Sequence, residues 1–265
     1  MPIRDLQYPT EPYSKVNRHK ERADYTLETI HSIINSSPLL HVSFQDPNSP
    51  FPAVLPMMGQ MGSFDRPSAG LGDVLDLYLH SYVSSRIINL VRASEPEGLP
   101  ITVAATHLDG LVLALTPNSH SYNYRSAVLF GRAHLIPQND PAHLPEKLYA
   151  LELITNSVVP NRWATTRIPP TGAELQSTAV LKVKIESGSA KIRTGGPKDG
   201  DKRDLEDQEL LERVWTGVVP VWTTLGEPVA GGYNRVERIP EEVEAWRKDG
   251  NREREEAARE AAKEG

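Results

Sequence analysis

A mainly β fold with flanking helices, an antiparallel barrel either closed or partly closed, is what this sequence predicts. Three observations carry that reading. Short apolar runs recur at residues 39–44, 51–58, 75–80 and 101–107, the last of them β-branched and alternating. Turn signals separate them, among them Asp46-Pro47-Asn48-Ser49-Pro50 and Asp109-Gly110. Helical periodicity is sparse and does not alternate regularly with the strands, which argues against a doubly wound parallel sheet.

Taken in order, residues 1–19 hold Pro2, Pro9 and Pro12 with few aliphatics and read as an extended arm. In residues 26–34, Leu27, Ile30, Ile33 and Ile34 share one helical face, with Asp24 or Thr26 as cap and Pro38 beyond the end. Strands follow at 39–44 and 51–58, the second with Pro52 and Pro56, which suit an edge. The Gly/Ser/Pro/Asp stretch 59–73 reads as a loop. A strand at 75–80 then runs into a Ser-rich turn, where Ser84 or Ser85 caps a short helix carrying Ile87, Ile88, Leu90 and Val91.

The pattern next predicts a strand at 101–107, a hairpin turn at Asp109-Gly110 and a return strand at 111–115. A longer strand follows at 126–136, interrupted by Gly131. Residues 143–158 have helical periodicity through Leu144, Leu148, Leu151 and Ile154, and 174–177 read as a helical turn. Strands at 179–185 and 190–193 flank a Glu186-Ser187-Gly188-Ser189 turn. Residues 195–213 read as a charged loop, and 214–222 as the last strand. Residues 239–265 carry nine acidic and six basic side chains, a net charge of −3, with no apolar stripe beyond Val243 and Trp246. That is a solvated helix or a tail. The domain plan is therefore an arm at 1–19, a barrel domain at 20–236 and a charged C-terminal segment at 237–265.

Composition narrows the function. The 265-residue chain has a net charge of −6, so a broad basic surface for nucleic acid is not expected. It has no cysteine, which excludes disulfides, thiolate metal sites and a cysteine nucleophile. No apolar run approaches the roughly 18 residues of a membrane span, and no secretion signal opens the chain. A soluble cytoplasmic protein is the expectation. No serine triad, paired-carboxylate motif or Walker loop is present, and no HxH or HExxH spacing points to a dedicated metal site.

The Ser-rich turn is the most informative stretch. Arg86 sits in the first turn of the helix that Ser85 precedes. Free backbone N–H groups, hydroxyls and a guanidinium at a helix N-terminus suit a phosphate group, although a capped helix with a surface arginine looks the same.

His107-Leu-Asp-Gly-Leu-Val-Leu-Ala114 followed by His120-Ser-Tyr-Asn-Tyr-Arg-Ser-Ala-Val-Leu-Phe-Gly-Arg-Ala133 resembles the pyridoxamine 5′-phosphate oxidase-related, FMN-binding split-barrel family, in the branch with nitroimidazole-reductase-like proteins. Asn17-Arg-His-Lys-Glu-Arg22, Val159-Pro-Asn-Arg-Trp163, Ser189-Ala-Lys-Ile-Arg-Thr-Gly195 and Trp215-Thr-Gly-Val-Val-Pro220 extend the resemblance over about residues 17 to 230. It implies a six-stranded antiparallel split barrel, a homodimer, and FMN in a cleft between the subunits.

By that resemblance, Ser85 and Arg86 match the phosphate-binding turn, and Val54, Leu55, Pro56 and Met57 match the strand whose backbone borders the flavin ring. Ile87 stands where better-known relatives have a lysine, which leaves the second phosphate cation to Lys191 or Arg193. Tyr124, Arg125 and Ser126 open a strand facing the same cleft in relatives. Arg125 either meets a phosphate or substrate anion, or bridges to a carboxylate such as Asp109. Lys191 and Arg193 bind an anion across the dimer or are surface charges. Trp215 stacks beside the flavin or is a core or interface aromatic.

His80, which ends a barrel strand beside the phosphate turn, is the candidate for proton traffic, as its imidazole titrates near neutral pH; a structural histidine is the alternative. His41, His80, His107 and His120 are the side chains that would ligate a haem iron. Three functions remain open: an FMN-dependent oxidoreductase acting on a small molecule, with NADH or NADPH as electron donor; a flavin or haem carrier or sensor without turnover; and a cofactor-free member of the fold.

Overall fold

The computed structural model describes residues 5–137 and 140–263. In chain order the elements are β1 (Ala23–Asp24), α1 (Leu27–Ser36), β2 (Leu40–Phe44), β3 (Ala53–Met57), β4 (Gly59–Gly62), β5 (Asp76–Tyr82), α2 (Arg86–Ala93), β6 (Leu99–Leu113) and β7 (Ser121–Leu135). Then come α3 (Leu144–Val158), α4 (Gly172–Ser177), β8 (Thr178–Arg193), α5 (Lys202–Glu206), α6 (Gln208–Arg213), β9 (Gly217–Pro220) and α7 (Glu241–Ala261). The chain forms two compact units: Met1–Thr106 with Ser126–Lys191, and His107–Arg125 with Ile192–Gly265.

The first unit holds the barrel. Its strands are hydrogen-bonded in the order β3-β2-β6-β7-β8-β5-β4. The two ends of that path, β3 and β4, are consecutive in the chain, with only Met58 between them. Seven strands laid flat would separate the ends by roughly 29 Å at ~4.8 Å per ladder. One intervening residue spans at most about 7.6 Å. The sheet therefore has to curl round until its edges meet, and β3 with β4 acts as one strand bent at Met58. Counted that way the barrel is six-stranded, as the resemblance implied.

The bend is also where the ladder splits. β3 pairs with β2, Leu40 opposite Met57 and Phe44 opposite Ala53, whereas β4 pairs with β5, Gly59 opposite Leu79 and Gly62 opposite Asp76. Both pairings are antiparallel, as are β2–β6 and β5–β8. Gly59 has no room for a side chain. A Cβ there would strike Leu79 of β5, lie 2.9 Å from the Tyr78 carbonyl, and lie 3.1 Å from Leu40 of β2.

Period-two burial fills the interior. Leu40, Val42 and Phe44 of β2, Leu77 and Leu79 of β5, Ile101 and Val103 of β6, Ala127 and Leu129 of β7, and Leu181 and Val183 of β8 are all buried. Tyr78, on the opposite face of β5, packs with Ile136, Val180 and the α3 residues Ala150 and Ile154. α1 lies against β4 and buries Leu27, Ile30, Ile33 and Ile34, the face that its spacing indicated. Its start is held by Asp24, whose carboxylate accepts from the Thr26 amide and hydroxyl (both 2.8 Å) and from the Thr29 hydroxyl (2.7 Å).

The N-terminal arm is tied down at several points. Gln7 bridges to Thr26, the Tyr8 hydroxyl meets His31 Nε2 at 2.7 Å, and Ser187 donates to the Pro9 carbonyl at 2.6 Å.

In the second unit, β9 pairs antiparallel with the end of β6, Gly110 opposite Pro220 and Leu113 opposite Gly217. α7 is held mostly by polar contacts. Asn123 donates to the carbonyls of Ala261 (2.9 Å) and Gly195 (3.1 Å), and the Gly195 amide donates to Ala261 (2.8 Å). Asn251 exchanges bonds with the Leu225 backbone, and Arg247 pairs with Glu227 and Glu244.

Five sequence expectations change. Asp109-Gly110 is not a hairpin turn: β6 runs straight through it, because Asp109 takes Arg125 and Gly110 lets β9 approach, a Cβ there falling 2.8 Å from Val218. Glu186–Ser189 is not a turn either. β8 is continuous, and its small residues make room for the arm and for Leu129, 2.9 Å from where a Gly188 Cβ would stand. Lys191 and Arg193 thus lie on a strand rather than a hairpin. Residues 59–62 are strand β4, not loop. The 195–213 stretch contains α5 and α6, capped by the Asp201 and Asp207 side chains. The last strand is shorter than 214–222, covering only Gly217–Pro220. Residues 239–265 contain a helix, α7.

Candidate functional site

α2 starts at Arg86, directly after the Ser-rich turn, where the sequence placed a helix. Ser85 is the N-cap of α2, yet its side chain does not cap the helix; it accepts a bond from Ser81 at 2.9 Å. The first-turn amides of α2 therefore have no side-chain acceptor from their own cap, the arrangement that an external anion completes. Arg86 stands in that turn with about half its side chain exposed. Its Nη1 lies 3.7 Å from Asp46 Oδ2, and its Cζ lies 5.8 Å from the centre of the Phe44 ring. Asp46 is nearly buried and also accepts from the Asn48 amide at 2.9 Å. The guanidinium is thus poised, but already shares its charge with a carboxylate.

Phe44 links this turn to β3, because it pairs with Ala53, the first residue of that strand. Leu55 and Met57 alternate with the exposed Val54 and Pro56 along that strand. β3 stands at the end of the hydrogen-bonded path, so one row of its backbone N–H and C=O groups is not spent on the ladder. Pro56 fits such an edge, as it has no N–H to offer. A free backbone edge a few residues from a cationic helix start is what a flat ring with carbonyls and a phosphate tail requires.

A cavity of about 370 Å³ opens in the first unit, lined among others by Ser43, Thr102, Phe130 and Glu186. Tyr13 of the arm and Phe130 of β7 meet edge to face there, 5.0 Å between centroids. A second cavity, of about 420 Å³ in the second unit, is lined by Asp109, Arg125, Thr194 and the end of α7.

The remaining sequence candidates divide between the units. In the first, His80 lies on the Tyr78 face of β5 and pairs with Val180. Its Nδ1 is buried with no hydrogen-bond partner among the described residues, and burial holds its pKa below the ordinary imidazole value. Ser126 donates to the Lys191 carbonyl at 3.1 Å, and Lys191 pairs with Ala23 of β1. In the second unit, Arg125 grips Asp109 through Nε and Nη2 at 2.9 and 2.8 Å, the carboxylate bridge foreseen as its alternative role. Tyr124, next to it, is half-buried. Arg193 is buried and donates to Asn123 and to the carbonyls of Gly195 and Gly196, so it braces this unit. Trp215 is 65% exposed and lies over Gly217; it is not a core aromatic. The structure brings Ser85, Arg86 and β3 together through Phe44.

The sequence pattern described as pyridoxamine 5′-phosphate oxidase matches residues 26–192, the stretch that carries all the barrel strands. The chain belongs to that family. Two solved structures resemble it over nearly their whole length. The flavocytochrome Anf3 from Azotobacter vinelandii is 29% identical at a TM-score of 0.67, over 89% of this chain and 97% of that one. The FAD and heme binding protein from Mycobacterium smegmatis is 26% identical at 0.67, over 85% and 97%. No curated protein matches the chain.

Sequence reasoning missed Phe44, Asp46, Tyr13 and Phe130. The first two stood in a strand end and a turn, and nothing in their spacing showed that Arg86, some forty residues on, would meet them. Among the described residues no group of three His, Asp or Glu side chains gathers as a metal site, and no helix is long and apolar enough to cross a membrane.

Proposed function

We propose that this member of the pyridoxamine 5′-phosphate oxidase family is a flavin-binding oxidoreductase acting on a small molecule, with a reduced nicotinamide as electron donor and a second copy of the chain completing the cleft. The observation that carries the reading is the near-full-length likeness to two solved proteins whose titles name a flavocytochrome and a FAD and heme binding protein. The local geometry supports it. The α2 amides and Arg86 receive the phosphate that FMN and FAD share, and the free edge of β3 orients the ring. A bound flavin supplies hydride or electron transfer. The protein holds the ring and keeps the phosphate from leaving. Asp46 holds Arg86 in place and has to yield part of that guanidinium to the ligand.

The test is a flavin titration of purified protein, followed by Arg86→Ala. Loss of the arginine should weaken flavin binding by about 1.5–3 kcal/mol, the worth of a charge-assisted hydrogen bond. Asp46→Asn should tighten it, because it frees the guanidinium. An unchanged affinity in a folded Arg86→Ala protein removes this turn from the site. A colourless protein that ignores both flavins refutes the reading.

Haem is a second reading, favoured by the same two titles and by His80, whose buried and partnerless Nδ1 is a nitrogen of the kind that ligates iron. Neither the Tyr13–Phe130 cavity nor the Arg125 cavity is lined by a histidine. A Soret band lost in His80→Ala would support it.

A further inference from the structure

We propose that the cavity of about 420 Å³ in the second unit binds a small zwitterion of the α-amino acid class, with its carboxylate on Arg125 and its ammonium at the end of α7. The inference goes beyond the flavin reading and shares no residue with the α2 turn or with β3.

Arg125 supplies the anion end. A guanidinium has five N–H donors, and the Nε and Nη2 edge of this one meets Asp109 at 2.9 and 2.8 Å. The Asp109 side chain is only 5% exposed, so that edge faces inward, whereas 35% of the arginine side chain is exposed and the residue lines the cavity. Nη1 has no partner among the described residues, and it is not one of their buried unpartnered atoms, so solvent reaches it. Asp109 thus fixes the plane of the fork and leaves donors for a second carboxylate.

The end of α7 supplies the cation end. The last turn of a helix carries partial negative charge. Glu260 stands in that turn and lines the cavity; Lys263 takes its Oε2, which leaves Oε1 to accept from an ammonium. The α7 end is fixed at the cavity because the Ala261 carbonyl accepts from Asn123 at 2.9 Å and from the Gly195 amide at 2.8 Å.

Charge balance selects the ligand class. Asp109 and Glu260 offset Arg125 and Lys263, so the charged lining is neutral as it stands. A bare anion on Arg125 or a bare amine on Glu260 would leave one charge uncompensated in a half-enclosed space, at a desolvation cost. A molecule carrying both charges avoids that cost. Between the two ends lie the methyl groups of Ala257 and Ala261, a surface for a short apolar side chain, and the exposed Thr194 hydroxyl. The volume is at the lower end of small-molecule sites, which run from ~300 to 1,000 Å³.

The experiment is an amide chemical-shift titration of the full chain by NMR. The probes are L-alanine, L-valine and L-phenylalanine, each beside the amine and the carboxylate obtained by removing one of its charged groups. At least one amino acid should shift the amides of Thr194 and residues 257–263 and saturate below about 10 mM, and its two singly charged analogues should bind about tenfold more weakly. Arg125→Lys, which keeps a cation on Asp109 and loses the fork, should weaken binding about tenfold, and Glu260→Gln about fivefold. Ala257→Leu, a change on an exposed position that a helix accepts, fills the floor and should abolish binding. No shift with any of the three amino acids at about 10 mM overturns the proposal. So does a carboxylate analogue that binds as tightly as its amino acid, or binding that Ala257→Leu leaves unchanged. Each of these failures leaves the flavin reading standing, because flavin binding is read in its own titration.

Discussion

The two units of this chain are built on different physical terms. The barrel unit is apolar inside: nearly every fully buried aliphatic belongs to it, from Leu40 and Val42 through Leu77, Leu79 and Leu129 to Leu181. The other unit buries few hydrophobic side chains, notably Val112, Ala114 and Ala258. Its cohesion comes from the buried Asn123 and Arg193 meeting backbone carbonyls, from the Arg125–Asp109 fork, and from ion pairs along α7. Burial of apolar area is non-directional and strong, whereas a hydrogen-bonded network stabilises only while every member is satisfied. The barrel is therefore the firmer unit, and the polar unit is the one that conditions can loosen.

The largest expected effect tests the barrel side. Leu79→Ala removes a fully buried side chain beside Gly59 and should cost about 2–5 kcal/mol in denaturant unfolding. A loss below about 1 kcal/mol would show that the closure at Gly59 is not tightly packed.

Asn123→Ala comes next. It leaves the Ala261 and Gly195 carbonyls and part of Arg193 without their donor or acceptor, at a cost of about 1–3 kcal/mol. Hydrogen exchange should rise along α7 and not along β5 or β8. Equal acceleration in both would erase the contrast between the units.

The third effect is pH-dependent and sits in the barrel. Burial holds His31 and His80 below the ordinary imidazole pKa, the first with partial opposition from its bond to the Leu71 carbonyl. Below about pH 6.5 the unfolded chain takes up protons that the folded barrel refuses, so stability is full above that pH and falls as pH drops through it. Melting temperatures at pH 7.5 and 5.5 should show the drop. His80→Phe should shrink it and cost little at pH 7.5, because Nδ1 has no partner to lose; an unchanged slope would assign the effect to His31.

The smallest effect is ionic. Raising salt should loosen α7 by a few tenths of a kcal/mol per exposed pair, such as Arg259–Glu255, and leave the barrel nearly unaffected.

Much of the barrel could be read in the residues. The strands at 40–44, 53–57 and 76–82, the helix starts at Ser85 and Thr26, and the buried face of α1 follow from period and capping. What misled was local chemistry used for distant ends. Asp109-Gly110 has the composition of a turn, but Arg125 and β9 claim those two residues from elsewhere in the chain. Ser187, Gly188 and Ser189 read as a turn because they are small, and they are small because Tyr8, Ser14 and Leu129 crowd against that strand.

By itself the sequence determined the barrel class, the family and the start of α2 at Ser85, because period, capping and motif order are local properties of a chain. Tertiary structure alone decided that Asp46 restrains Arg86, that Asp109 occupies Arg125, and that Tyr13 reaches Phe130 to wall a cavity. Each of those is a meeting of side chains far apart in the sequence. Whether a charge is free to bind a ligand depends on which neighbour folding brings to it, and no spacing along the chain records that.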